Sequence, residues 1–233
     1  MFPRRCPVCG DIVLPEGALI CPSCISRLSP VRQPTCKKCG KEVFAEHMEY
    51  CLDCTRHRRS FDSGVALLNY NDTARRSMAA IKYKNKREYL DFYAEAMVHR
   101  YGKWMARLVA DALIPVPVHP ARLRRRGFNQ AAELAYRLER LTGIPVITDL
   151  LIRTRRTAPQ KELGPAERLK NLQQAFSVSP RYQGAGARPV PACVILVDDI
   201  YTTGCTMEAC ARILKRSGVH RVFCVTICTG SAR

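Results

Sequence analysis

The densest chemistry in the chain lies in one stretch, Val194 to Thr206, which reads VILVDDIYTTGCT. Four apolar residues run into two adjacent acids, Asp198 and Asp199. Ile200 and Tyr201 follow, then the small, hydroxyl-rich turn Thr202, Thr203, Gly204, Cys205 and Thr206. An unbroken apolar run suits a parallel strand buried on both faces. The acids then stand at its C-terminal end. Glycine lets the main chain approach an anion closely, and a helix pattern over Met207–Ser217 would aim its positive end at the same point. Buried neighbouring carboxylates cost stability unless they are used. The stretch therefore predicts a phosphate cradle with two carboxylates in front of it.

A second set of chemistry-bearing residues sits at the other end of the chain. Eight of the thirteen cysteines fall before residue 55, in four CxxC knuckles: Cys6/Cys9, Cys21/Cys24, Cys36/Cys39 and Cys51/Cys54. The pattern repeats with an offset of 30 residues, and the first knuckle of each repeat ends in glycine (CPVCG, CKKCG). Four thiolates suit a closed tetrahedral structural Zn²⁺ site. A disulfide scaffold belongs to a secreted context, and the opening MFPRRCPVCG lacks the apolar segment of a signal peptide. Redox catalysis would need only one CxxC. The expectation is two structural zinc ions; pairing the first four and last four cysteines is the simpler arrangement, with an interleaved pairing left open. His47 reads as a bystander.

The elements that must position these groups can be traced between the two ends. After the basic linker Thr55–Ser60, FDSGVALLNYND predicts a strand. Asp72 or Thr73 would cap a helix carrying Ala74, Met78 and Ile81 at helical spacing. Lys82, Lys84, Lys86 and Arg87 cluster at its end, either as ordinary dipole compensation or as a loop reaching ligand phosphates. Residues 88–109 predict another helix. Asp111–Val118, DALIPVPV, predicts a strand whose prolines turn its end into loop. Arg122, Arg124, Arg125 and Arg126 are expected in the following loop, where α/β proteins place ligand sites. Asn129 would cap a helix with Ala131, Leu134, Ala135, Leu138 and Leu141 on one face, ended by Gly143. A short strand over 145–148 precedes a long basic segment with Arg153, Arg155, Arg156, Lys161 and Arg168, expected to be a lid with helix over 165–174. Residues 179–191 read as a linker without chemistry, and RVFCVTICT as the last strand.

Composition sets the frame. The 233 residues carry a formal charge of +18. The first sixty hold a net +4, which two Zn(Cys)₄ centres of charge −2 each would bring to about zero. The remaining charge points to phosphorylated ligands, nucleic acid or both. No apolar run approaches the ~20 residues of a membrane span. A cytoplasmic protein without membrane insertion is expected, with a small zinc domain over 1–58 and an α/β domain over 59–233.

VILVDDIYTTGCT resembles the ribose-phosphate motif of type I phosphoribosyltransferases. The resemblance widens to the ComF family through PVPVHPARLRRRGFNQ, RTRRTAPQKEL, AERLKN and AF, behind an N-terminal Cys-knuckle region. It implies a type I phosphoribosyltransferase-like parallel sheet flanked by helices, with an N-terminal Cys₄ zinc ribbon. It further implies that phosphoribosyl pyrophosphate binds with Mg²⁺. Asp198 and Asp199 would hold the ribose 2′ and 3′ hydroxyls as the catalytic pair. Thr202, Thr203, Gly204, Cys205 and Thr206 would wrap the 5′-phosphate, Cys205 by packing or backbone alone. Arg124, Arg125, Arg126, Arg153 and Arg168 would face the pyrophosphate. The family is associated with natural competence, implying single-stranded DNA and the competence machinery as partners. The acceptor is not implied. The same fold also allows a non-catalytic single-stranded DNA-binding or ligand-sensing module.

Overall fold

The computed structural model describes residues 3–154 and 174–230. Its centre is a four-stranded parallel sheet in the order β1-β6-β5-β2: β1 Ser63–Asn69, β2 Ala112–Pro115, β5 Cys193–Tyr201 and β6 Arg221–Thr229. A two-stranded antiparallel ribbon, β3 Leu151–Arg153 and β4 Phe176–Val178, stands beside it. The expected fold class, a parallel sheet flanked by helices behind a cysteine-rich segment, is what forms.

β5 lies inside the sheet, and Val194 to Val197 are each 0% exposed. Burial on both faces is why the run is continuously apolar rather than alternating. Leu196 faces one core, with α7 Cys205–Arg216, the β3–β4 ribbon and cysteines of the second knuckle pair. Ile195 and Val197 face the other, with α3 Asp72–Lys84, α4 Tyr89–Leu108 and α6 Gln130–Thr142. Helix α6, between β2 and β5 in the chain, thus packs on one face and α7, after β5, on the opposite face. Neighbouring strands that send their helices to opposite sides leave a crevice at their C-terminal ends. The site is therefore placed by topology.

Several local expectations are revised. The α3 cap is neither Asp72 nor Thr73: the Asn71 side chain accepts from Ala74 N at 2.9 Å. The arginines after β2 lie in a short helix, α5 Pro120–Arg126, not in a loop; Pro120 opens it and the His119 side chain accepts from Ala121 N. Residues 145–148 form a single bridge, Leu113 to Val146, rather than a strand. Residues 179–191 include a 3₁₀ turn, Pro180–Tyr182, held down through Asp149 by Arg181 and Tyr182. Asn129 does cap α6, and Gly143 ends it in the left-handed conformation. The basic segment with Arg155, Arg156, Lys161 and Arg168, including all but the last residue of the expected helix over 165–174, lies outside the described residues.

At the N-terminus the 30-residue repeat is structural. The bridges Arg5–Ile12 and Thr35–Glu42 correspond, as do the short helices α1 Pro22–Ile25 and α2 Leu52–Arg56. Between the repeats, Ser29–Val31 runs antiparallel along the free edge of β1 and covers a strand edge that would otherwise invite association. Among the described residues no helix is long and apolar enough to cross a membrane.

Candidate functional site

The two acids at the end of β5 have different surroundings. Asp199 is 5% exposed and ion-paired with Lys82 from the last turn of α3. Gln130, the first residue of α6, donates to its Oδ1 at 3.3 Å and accepts from Arg126. Asp198 is half-buried and accepts the Asp199 amide at 2.9 Å. It has no ion-pair partner among the described residues. Burial, with the Asp199 charge beside it, holds its carboxyl well above the usual carboxylate range.

Asp198 opens onto a cavity of about 220 Å³ whose wall includes Lys82, Arg122, Arg126, Arg153, Asp199 and Thr206. Asp198 and Thr206 also line a smaller cavity of about 80 Å³, formed by Ile200 to Met207. The small cavity is the threonine turn itself. Gly204 sits at φ +72 and starts α7, whose first turn has no side-chain cap. A Cβ at Gly204 would lie 2.1 Å from the Tyr201 hydroxyl, so only glycine fits there. The first amides of α7 are thus presented to the turn, as an anion site requires. Thr202 is exposed, Thr203 and Thr206 are half-buried, and Cys205 is buried.

The basic residues divide. Arg126 and Arg153 line the main cavity, Arg153 lying 5.0 Å over the Phe176 ring, where burial and the Arg122 charge lower its pKa. Arg125 lines an adjoining cavity with Lys82, Tyr83 and Asn85. Arg124 is exposed on α5 and lines none of these cavities. Arg168 lies outside the described residues.

The cysteines form two groups, Cys6/Cys9/Cys21/Cys24 and Cys36/Cys39/Cys51/Cys54, with all sulfurs of a group within 4.8 Å of one another. Cys9 and Cys21 are 3.9 Å apart, Cys39 and Cys51 3.5 Å. A tetrahedron with Zn–S bonds of about 2.3 Å has sulfurs about 3.8 Å apart, so both groups fit the ion. The pairing is sequential, first four and last four. Gly10 and Gly40 have positive φ and turn each first knuckle back on itself, their amides donating to Cys6 O and Cys36 O.

Residues 1–55 match the double zinc ribbon domain family and residues 123–233 the phosphoribosyl transferase domain family. Over 95% of both chains, the sequence is 29% identical to competence protein F of Haemophilus influenzae. It is 27% identical to the DNA utilization protein YhgH of Escherichia coli O157:H7, covering 90% of this chain and 89% of that one. It is also 27% identical to competence protein ComFC of Bacillus subtilis, over 85% and 79%. The chain is similar to ComF-type competence proteins along nearly its whole length. It combines two structural Cys₄ zinc centres with a phosphoribosyltransferase domain.

Three contributors to this site carry weak sequence signals. Lys82 was legible only as one of a basic cluster at a helix end, and Gln130 only as a residue after a cap. Arg59 lies in the basic linker Thr55–Ser60, where the sequence assigns no site role; it is 7% exposed and donates from Nη2 to Thr203 O at 2.8 Å. Next to it, Ser60 donates from N and Oγ to Glu208, a fully buried carboxylate in the first turn of α7.

Proposed function

We propose that the cleft binds phosphoribosyl pyrophosphate and that the chain is a phosphoribosyltransferase-like protein serving DNA uptake. The observation that carries this reading is a convergence in one crevice. Two carboxylates, a threonine-lined helix start and the cations Lys82, Arg122, Arg126 and Arg153 all meet at the C-terminal ends of β2 and β5. A bare phosphate site would not need the acids, and the acids would repel a nucleic-acid backbone.

In this reading Thr202 to Thr206 and the α7 amides take the 5′-phosphate, and Asp198 and Asp199 take the ribose 2′ and 3′ hydroxyls. Arg126, Arg153 and Lys82 take the pyrophosphate, with Arg124 and Arg125 further out. Among the described residues Asp198 has no ion-pair partner, which suits Mg²⁺ bound mainly through ligand oxygens. Mg²⁺ would supply charge neutralisation on the pyrophosphate. The transfer this arrangement supports is displacement at ribose C1′. An acceptor lone pair forms the new bond, the C1′–O bond breaks, and its electron pair leaves on pyrophosphate, stabilised by the arginines. The residues do not specify the acceptor.

The relatives are named as competence and DNA utilization proteins. With the charge of +18, those names support single-stranded DNA and the competence machinery as partners, in the cytoplasm. The zinc domain spans 1–58 and the transferase domain 59–233, and Cys36, Cys39 and Cys51 of the first share a core with Phe61, Tyr201 and Cys205 of the second.

Calorimetry with phosphoribosyl pyrophosphate and Mg²⁺ tests the site. Binding is expected, and Asp198→Asn/Asp199→Asn should weaken it at least tenfold, about 1.4 kcal/mol. No heat at millimolar ligand would overturn the assignment.

A further inference from the structure

We propose that the second zinc ribbon, acting through Arg59, positions the phosphate turn, so that order and affinity there depend on the second zinc centre and not on the first. The inference rests on the phosphate-site reading above.

The contacts are direct. Arg59, five residues beyond the zinc ligand Cys54, is buried and donates to the Thr203 carbonyl at 2.8 Å. A trans peptide is planar, so its C=O and N–H point in opposite directions. Holding the Thr203 carbonyl fixes the direction of the Gly204 N–H, which lies in the same peptide plane and points the opposite way. Ser60 grips the far side of the turn through Glu208, at 2.7 Å from its amide and 2.8 Å from its hydroxyl. Phe61 meets Tyr201 edge-on with centroids 6.3 Å apart. Lys41 Nζ, paired with Asp53 at 2.8 Å, lies 5.6 Å from the Tyr201 ring centroid. Tyr201 in turn is the residue on which Gly204 sits.

The second zinc centre holds residues 59–61 in place. Cys36, Cys39 and Cys51 share one core with Phe61, Tyr201 and Cys205. Gly40 stands so close to Gly64 O that a Cβ would lie 2.6 Å from it. The first ribbon is anchored elsewhere. Its core of Cys6, Val13, Ile20 and Cys24 packs on Phe92, and Arg4 pairs with Asp91 at 2.8 Å, both on α4.

Three full-length variants separate the possibilities: Cys54→Ser, Cys9→Ser and Arg59→Met. The readouts are zinc per chain, amide hydrogen exchange at residues 202–206 without ligand, and ribose 5-phosphate affinity. Cys54→Ser should lose one zinc, speed exchange at the turn at least tenfold and weaken ribose 5-phosphate at least tenfold. Cys9→Ser should also lose one zinc but keep exchange at the turn within about twofold of the parent. Arg59→Met should keep both zincs yet exchange like Cys54→Ser; it carries the test if Cys54→Ser does not fold. Equal effects of the two cysteine variants, or parental exchange in Arg59→Met, would overturn the proposal. Exchange requires no ligand. A parent protein that fails to bind ribose 5-phosphate thus refutes the phosphate reading, while exchange still decides the coupling.

Discussion

Asp198 and Asp199 are adjacent and chemically identical, yet the fold separates them. Asp199 is held by the Lys82 ammonium and the Gln130 amide, while Asp198 faces the cleft. Burial and the neighbouring charge raise the Asp198 pKa, which has a sign consequence for stability. A raised carboxyl pKa means that the folded state binds more protons than the unfolded chain between the ordinary value, about 3.9, and the folded one. The group's ionisation therefore removes stability as pH rises through that window, and the penalty is fully present above it. Asn at 198 keeps an acceptor for the Asp199 amide without the charge. Asp198→Asn should accordingly melt no lower than the parent at neutral pH, and up to a few degrees higher, while ribose binding is lost. A melting temperature several degrees lower would show that the carboxylate is structural. The acid pair was legible because its chemistry is local. Its partners were not, because Lys82 and Gln130 arrive on helices from other parts of the chain, and only tertiary packing aims them at Asp199.

The β5–α7 junction shows why the longer elements could be read and the short ones could not. A buried parallel strand shows as a continuous apolar run bounded by turn residues, and a helix of twelve residues holds enough apolar positions to reveal its period. β3 and β4 have three residues each and pair across the chain, so neither carries a pattern of its own. α5 was hidden because four of its seven residues are arginine and none is buried, which leaves no apolar face to read. At the junction itself Gly204 is required twice, by φ +72 and by the Tyr201 hydroxyl beneath it. Gly204→Ala should cost about 1–3 kcal/mol, from the left-handed backbone and the displaced ring. It should also lower ribose 5-phosphate affinity at least tenfold, since the ring that moves supports the turn. Urea unfolding and calorimetry on the same sample check both. Loss of stability with unchanged affinity would mean that the turn tolerates a displaced Tyr201.

Across the whole molecule, charge and anchorage distinguish what the cleft binds from what the surface binds. With both ribbons metallated, the first sixty residues are close to neutral, so the basic excess lies in the phosphoribosyltransferase part. Arg122, Arg124 and Arg125 stand exposed on α5 at the rim of the cleft, where a strand of DNA could touch them without entering. Each phosphate neutralised contributes about −0.7 to the slope of log affinity against log salt for single strands. Single-stranded DNA affinity should therefore fall steeply with salt. Arg124→Ala/Arg125→Ala should flatten the slope by about 1.4 if each residue meets one phosphate. As exposed positions they should leave stability within about 0.5 kcal/mol of the parent. Asp198→Asn should leave the salt slope unchanged, because the carboxylates face the cleft and a phosphate backbone gains nothing from them. Fluorescence anisotropy with a labelled oligonucleotide, at several salt concentrations, reads all three proteins. A flat salt dependence in the parent would remove DNA from the rim. A slope altered by Asp198→Asn instead of by the arginines would place the strand inside the cleft, in competition with phosphoribosyl pyrophosphate.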